Sequence, residues 1–78
     1  GEAVSVGALV ELSFNETKQL YFISSTAGGT MFNIDGKPVL VISVFSPIGA
    51  AVVNLEAGES FELEMPSGNR IYEVLGVS

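Results

Sequence analysis

The sequence predicts an α+β domain, in which one short helix packs on an antiparallel sheet of about five strands. Short apolar runs, alternating or rich in β-branched residues, recur along the 78 residues and are separated by polar or glycine-containing turns. Only the segment that begins at Ser46-Pro47 has the spacing of a helix. Several strands with one inserted helix are typical of this fold class.

The first two strands are predicted to form a hairpin. Apolar residues occupy alternate positions from Val4 to Phe14, which is typical of a strand with one face on a core. Four polar residues, 15–18, then separate this strand from Gln19–Ile23, which is apolar on both faces. The second strand is therefore expected to lie in the interior of its sheet.

The middle of the chain contains an irregular segment and then a buried strand. Residues 24–38 combine a flexible Gly28-Gly29 pair with turn-forming residues, and we interpret them as one long loop. Gly28-Gly29 lacks the spacing and the following helix that a phosphate-binding loop requires. In the run Val39–Val44 every residue except Ser43 is apolar, and most are β-branched, which predicts a buried strand.

The last thirty residues encode a short helix followed by a hairpin. The Ser46 hydroxyl is suited to cap a helix, and Pro47 is suited to its first position. The apolar face of that helix is formed by residues at helical spacing, namely Ile48, Ala51, Val52 and Leu55. Phe61–Met65 alternates as a half-buried strand, residues 66–69 form a turn, and Arg70–Val77 is the final strand.

Composition indicates one domain over residues 1–78 and excludes several function classes. Apolar residues make up 47% of the chain and charged residues 15%, which is enough for a compact core. The net charge of −6 argues against binding to a nucleic-acid backbone. No segment is apolar over the length of a membrane span, and no signal peptide is visible, so we expect a cytoplasmic protein with no membrane partner.

The chain has neither cysteine nor histidine, so the usual nucleophile–base pairs and nitrogen or sulfur metal sites cannot be assembled from it. Glu62 and Glu64 share one face of a predicted strand, and such carboxylates can act as an acid/base pair or bind a hard cation. We favour the interpretation that they form the solvent side of the strand, because alternation with the apolar residues that face the core already explains them. We expect no catalytic residue, metal or cofactor.

Three segments carry a family resemblance. Ile42–Ala51 reads ISVFSPIGAA, Leu55–Leu63 reads LEAGESFEL, and Pro66–Leu75 reads PSGNRIYEVL. In this order they resemble the C-terminal domain of the bacterial Gre (GreA/GreB) transcript-cleavage factors, whose patterns are I-S-x-x-S-P-[LIM]-G-x-A-L-[LI], V-G-D-E-V-E-V and P-x-G-x-x-x-Y-E-[IV]. The hairpin of Val4–Ile23 resembles the one that opens that domain, so the likeness spans essentially the whole chain.

The resemblance implies an FKBP-like fold and a protein-binding role in transcription elongation. In the Gre family this globular domain docks on RNA polymerase at the rim of the secondary channel. A separate N-terminal coiled coil carries the acids that assist RNA cleavage, and no heptad stretch is present in these 78 residues. The resemblance therefore implies a polymerase-binding module without enzymatic activity of its own.

The family's polymerase-contacting segment is an Asp-Ser-Pro at the entry to the short helix. Its counterpart here is Phe45-Ser46-Pro47, and with Ile48 these residues are the predicted partner-binding site. Phenylalanine replaces the acid, and the basic residues that usually follow are absent. These departures indicate a divergent member that binds polymerase differently or competes for the same rim, since an exposed phenylalanine supplies apolar contact in place of a charged hydrogen bond.

Two alternatives are retained. A Gre-like domain could serve another protein or a small ligand instead of polymerase. The fold by itself also suggests a peptidyl-prolyl isomerase, although fold is a poor guide to activity and such a site needs a deep aromatic-lined pocket. The sequence leaves the oligomeric state open, because an uncovered strand edge can pair with a second copy.

Overall fold

A computed structural model describes all residues, 1–78, as one six-stranded sheet with a single short helix. The elements in chain order are β1 (Leu9–Phe14), β2 (Thr17–Ser24), β3 (Met31–Ile34), β4 (Lys37–Ser43), α1 (Pro47–Val52), β5 (Ser60–Leu63) and β6 (Arg70–Val77). The strands are arranged in the order β3-β4-β2-β1-β6-β5. The predicted α+β class is confirmed, and β2 lies inside the sheet as expected.

The sheet differs from the prediction in one pairing. β2 and β4 are parallel, with Leu20 opposite Val39, whereas every other neighbouring pair is antiparallel. After β2 the chain crosses to the edge of the sheet, where it forms β3, and a hairpin then leads it back into the space between β3 and β2 as β4. Because β3 runs in the direction opposite to β2, and β4 runs opposite to β3, β4 and β2 run in the same direction.

The segment interpreted as one long loop contains that edge strand. Asp35 and Gly36 both have positive φ, 51° and 79°, as a two-residue hairpin turn between β3 and β4 requires. Earlier in the segment, the Gly29 N–H donates to the Val41 carbonyl at 2.8 Å, so the backbone approaches β4 closely. At Gly28 an added Cβ would come within 2.9 Å of β4 backbone atoms, which explains the glycine there.

The first predicted strand is shorter than expected. It begins at Leu9, because Gly7 adopts a φ of 90° and turns the chain. Val4 pairs instead with the segment after the helix, where the Asn54 N–H donates to the Val4 carbonyl at 2.8 Å. Val4 is buried as predicted, whereas Val6, placed on the same face by the sequence pattern, is exposed.

One face of the sheet, called the core face, carries the main hydrophobic cluster and the helix. The cluster consists of Val4, Ala8, Val10, Leu12, Tyr21, Ile23, Val52, Tyr72 and Val74. Ile48 and Leu55 pack against it, although Leu55 lies beyond the end of α1. The opposite face has a smaller apolar group, in which Phe22 and Phe32 meet edge to face with ring centroids 6.4 Å apart.

Candidate functional site

The entry to α1 is a turn fixed by two serine side chains. The Ser46 hydroxyl accepts a hydrogen bond from the Gly49 N–H at 3.1 Å and donates one to the Ser43 carbonyl at 2.7 Å. The Ser43 hydroxyl accepts from the Phe45 N–H at 3.0 Å. These local hydrogen bonds hold the backbone of residues 43–46 in one shape.

This turn separates the four residues of the predicted binding site. Phe45 projects into solvent with 83% of its surface exposed, and Pro47 is exposed beside it. Ser46 is half-buried because its hydroxyl caps the helix. Ile48 turns inward and packs on the core cluster. The structure therefore brings Phe45 and Pro47 together at the surface and gives Ser46 and Ile48 supporting positions.

The surface around this turn carries no compensating charge. α1 has no acidic residue in its first turn and no basic residue in its last. Ala50 and Asn54 occupy exposed positions in the region where the family pattern has basic residues. The exposed side chains at the helix entry itself, Phe45 and Pro47, are both uncharged and apolar.

The paired carboxylates do not form a site. Glu62 lies on the exposed side of β5 and accepts a hydrogen bond from the Asn69 side-chain amide at 2.9 Å, while Glu64 follows the end of the strand. No group of three or more Asp and Glu residues is arranged to hold a metal ion. The solvent-face interpretation of these residues is the one that the structure supports.

A second feature, which the sequence did not predict, lies on the core face beyond the helix. It is a cavity of about 130 Å³, here called the aromatic–arginine pocket, lined by Leu12, Phe14, Thr17, Gln19, Tyr21, Arg70 and Tyr72. The Arg70 guanidinium carbon lies 4.9 Å from the centre of the Phe14 ring. The signal available in the sequence was Arg70 itself, a charged residue at the same strand parity as Tyr72 and Val74.

Aromatic packing builds the wall of this pocket. Tyr72 stacks on Phe61 with ring centroids 5.2 Å apart and an interplanar angle of 9°, and it lies 5.2 Å from Phe14. An Arg70 N–H points to the Tyr72 hydroxyl at 3.4 Å. Burial raises the pKa of Tyr21 above its usual 10.0, as does the neighbouring Tyr72, and Arg70 partly offsets the rise.

Comparison with known proteins places this fold and sequence among transcription factors. The family model "Transcription elongation factor, GreA/GreB, C-term" matches residues 1–78. The transcription elongation factor GreA of Neorickettsia sennetsu is 45% identical over 78 residues, which cover 99% of this chain and 46% of that protein. GreA of Rhizobium etli is 46% identical over 37 residues, 47% of this chain and 23% of its own length.

Solved structures agree with the sequence matches. GreA factor homolog 1 (Gfh1) of Thermus thermophilus superposes with a TM-score of 0.72 and 26% identity, covering all of this chain and 49% of the other. The GreA/GreB structure from Nitrosomonas europaea gives 0.66 at 18% identity over 96% of this chain and 59% of its own, a likeness of fold. The chain thus spans about half the length, or less, of the two GreA proteins that it matches.

Proposed function

The chain belongs to the GreA/GreB family of transcription elongation factors, in which it corresponds to the C-terminal domain, and we propose that residues 1–78 form a module that docks on RNA polymerase at the rim of its secondary channel. The family is one of transcription factors rather than enzymes, so the isomerase alternative has no support from it. The aromatic-lined cavity holds only about 130 Å³, below the usual size of a small-molecule site.

One observation carries the proposed docking site. Phe45 is a large apolar side chain with 83% of its surface exposed, and it stands on a turn whose backbone is fixed by Ser43 and Ser46. Aromatic side chains held in one orientation are frequent anchors of protein interfaces, and Phe45 is the most exposed of the large apolar side chains of this chain. The position is the one at which the family pattern places its partner contact.

The location and chemistry of the chain are compatible with this role. No helix in the structure is long and apolar enough to cross a membrane. The net charge of −6 opposes direct binding to RNA or DNA, so the proposed contact is with the polymerase protein. A polymerase-docking module acts in the cytoplasm.

The proposal can be tested by titrating the fluorescently labelled chain with recombinant core RNA polymerase of Neorickettsia sennetsu. GreA of that organism is the positive control. The test variant is Ser46→Ala with Pro47→Ala. The matched control is Pro66→Ala with Ser67→Ala, which removes the same two residue types from an exposed turn. Because loss of the cap costs about 1 kcal/mol, circular dichroism must show that each variant is folded at the assay temperature.

We expect saturable binding that the Ser46/Pro47 variant weakens and the Pro66/Ser67 variant leaves unchanged. Equal effects of the two variants would contradict the helix entry as the docking site. Absence of binding, with GreA binding under the same conditions, would contradict polymerase docking itself and favour the alternative of another protein or a small ligand.

A further inference from the structure

The aromatic–arginine pocket contains a guanidinium with no acidic partner. The chain has nine acidic residues and three basic ones, yet its one ion pair joins the amino group of Gly1 to Glu56. Arg70 forms no salt bridge, and no acidic residue lines the pocket. Lys18 and Lys37 are unpaired too, but both are exposed, whereas Arg70 is half-buried against the aromatic wall of the pocket.

The guanidinium is held in place by apolar contacts and a weak hydrogen bond. It lies over the face of Phe14, a cation–π arrangement, and one of its N–H groups points to the Tyr72 hydroxyl. The planar arginine fork has five N–H donors, so most of them remain available. Arg70 is therefore oriented before any ligand arrives, which reduces the entropy lost on binding.

Hydroxyl donors surround the same space. The Tyr72 hydroxyl accepts from Arg70 and keeps its own proton to donate. Tyr21 and Thr17 also line the pocket, and neither of their hydroxyls forms a hydrogen bond within the protein. Tyr21 and Tyr72 are largely buried, with 8% and 5% of their surfaces exposed, so these donors are fixed by packing.

We propose that the aromatic–arginine pocket binds the carboxylate of an acidic side chain, Asp or Glu, presented by a protein partner. A carboxylate accepts two parallel N–H bonds from arginine, and tyrosine hydroxyls complete its hydrogen bonding. The volume of about 130 Å³ suits one side chain. The surrounding net charge of −6 disfavours a polyanion such as a nucleic acid.

This site is independent of polymerase docking at the helix entry, because its lining residues come from β1, β2 and β6 and include none of residues 45–48. It can be tested on the chain alone, without polymerase. The probe is N-acetyl-glutamate N-methylamide, and its neutral control is the corresponding glutamine compound. Inorganic phosphate is a third arm, with ionic strength held constant throughout.

Binding is followed by nuclear magnetic resonance of the Arg70 side-chain Nε–H and the backbone amides of β1, β2 and β6. We expect saturable shifts with the glutamate probe at millimolar concentration and none with the glutamine probe. Arg70→Gln should weaken binding about tenfold or more, because a charged hydrogen-bonded pair is lost. Lys37→Gln, which removes one positive charge at a position outside the pocket, should leave it unchanged.

Two further variants separate binding from a purely structural role. Tyr21→Phe keeps the ring in the core and removes only the hydroxyl, and it should weaken the glutamate probe while the spectrum stays native. Arg70→Lys keeps the charge but loses the fork, and it should bind more weakly than the unchanged chain. Equal response to glutamate and glutamine, saturation by phosphate alone, or undiminished binding by Arg70→Gln would overturn the proposal.

Discussion

Gly49 lies against the backbone carbonyl of Ser43, so close that a Cβ on Gly49 would overlap the Ser43 oxygen. This contact joins the first turn of α1 to the end of β4 and sets the angle at which the chain leaves the sheet. The same turn presents Phe45 to solvent. The close approach of two backbone segments thus determines the geometry of the proposed docking site.

Replacing Gly49 with alanine is expected to destabilise the fold. The clash is with backbone, which cannot move aside as a flexible side chain would, and overpacking of this kind costs about 1–3 kcal/mol. Urea denaturation measures the change. Gly76→Ala is the control, because a Cβ there meets nothing within 4 Å and its stability should change by less than about 1 kcal/mol. Similar losses for both variants would contradict the steric explanation.

Phe45→Ala should leave the free energy of unfolding within about 0.5 kcal/mol of its original value, because the side chain is mostly in solvent. It should nevertheless weaken binding to core RNA polymerase if the proposed docking site is correct. Ile71→Ala provides the matched control, since Ile71 is an apolar side chain that is 65% exposed on β6. A polymerase affinity that falls equally for both variants would argue against a specific role for Phe45.

Glu16→Gly should stabilise the protein. Asn15 and Glu16 join β1 to β2 with φ values of 52° and 67°, a turn in which glycine is preferred at the second position. Glycine removes the steric cost of the left-handed conformation, but it also has more conformational entropy to lose when the chain folds. The net increase in the free energy of unfolding is expected to be about 0.5–1 kcal/mol. Thermal unfolding measures it.

Ser67→Gly is the comparison for that variant. Ser67 also lies in an exposed turn, but its φ is outside the left-handed region. Glycine there relieves no strain and should lower stability by a few tenths of a kcal/mol up to about 1. A gain at Ser67 as large as that at Glu16 would show that turn strain is not the cause.

The free energy of unfolding should decrease as the pH rises above about 10, and part of this decrease should depend on Tyr21. Burial raises the pKa of Tyr21 in the folded state above 10.0, so the unfolded chain ionises first. The folded state then binds more protons than the unfolded state, and the free energy of unfolding decreases as the pH rises between the two pKa values. Below a pH of about 10 both states hold the proton, and Tyr21 contributes no slope.

Urea denaturation between a pH of about 8 and about 11 tests this expectation. Tyr21→Phe should lose part of the alkaline decline, whereas Thr17→Val serves as the control, because it removes a non-titrating hydroxyl from the same pocket. Identical pH profiles for the unchanged chain and Tyr21→Phe would contradict a raised pKa at Tyr21.

Several features followed from local sequence alone. The β-branched run Val39–Val44 predicted β4, and Ser46-Pro47 predicted the start of α1, because caps and propensities act within a few residues. β3 was missed although Asp35-Gly36 is a strong hairpin signal, since its four residues are all exposed and show no core-facing alternation. At the helix entry the sequence predicted the turn, but not that Phe45 is exposed while Ile48 packs on the core.

The sequence by itself determined the fold class, the position of the helix and, through its motifs, the family. Only the tertiary structure decided the parallel pairing of β2 with β4, the exposure of Phe45 and the assembly of the aromatic–arginine pocket. Phe14, Tyr21 and Arg70 come from three different strands, and they meet because β6 pairs with β1 and β1 with β2. Contacts of that kind depend on strand register, which local patterns constrain but do not specify.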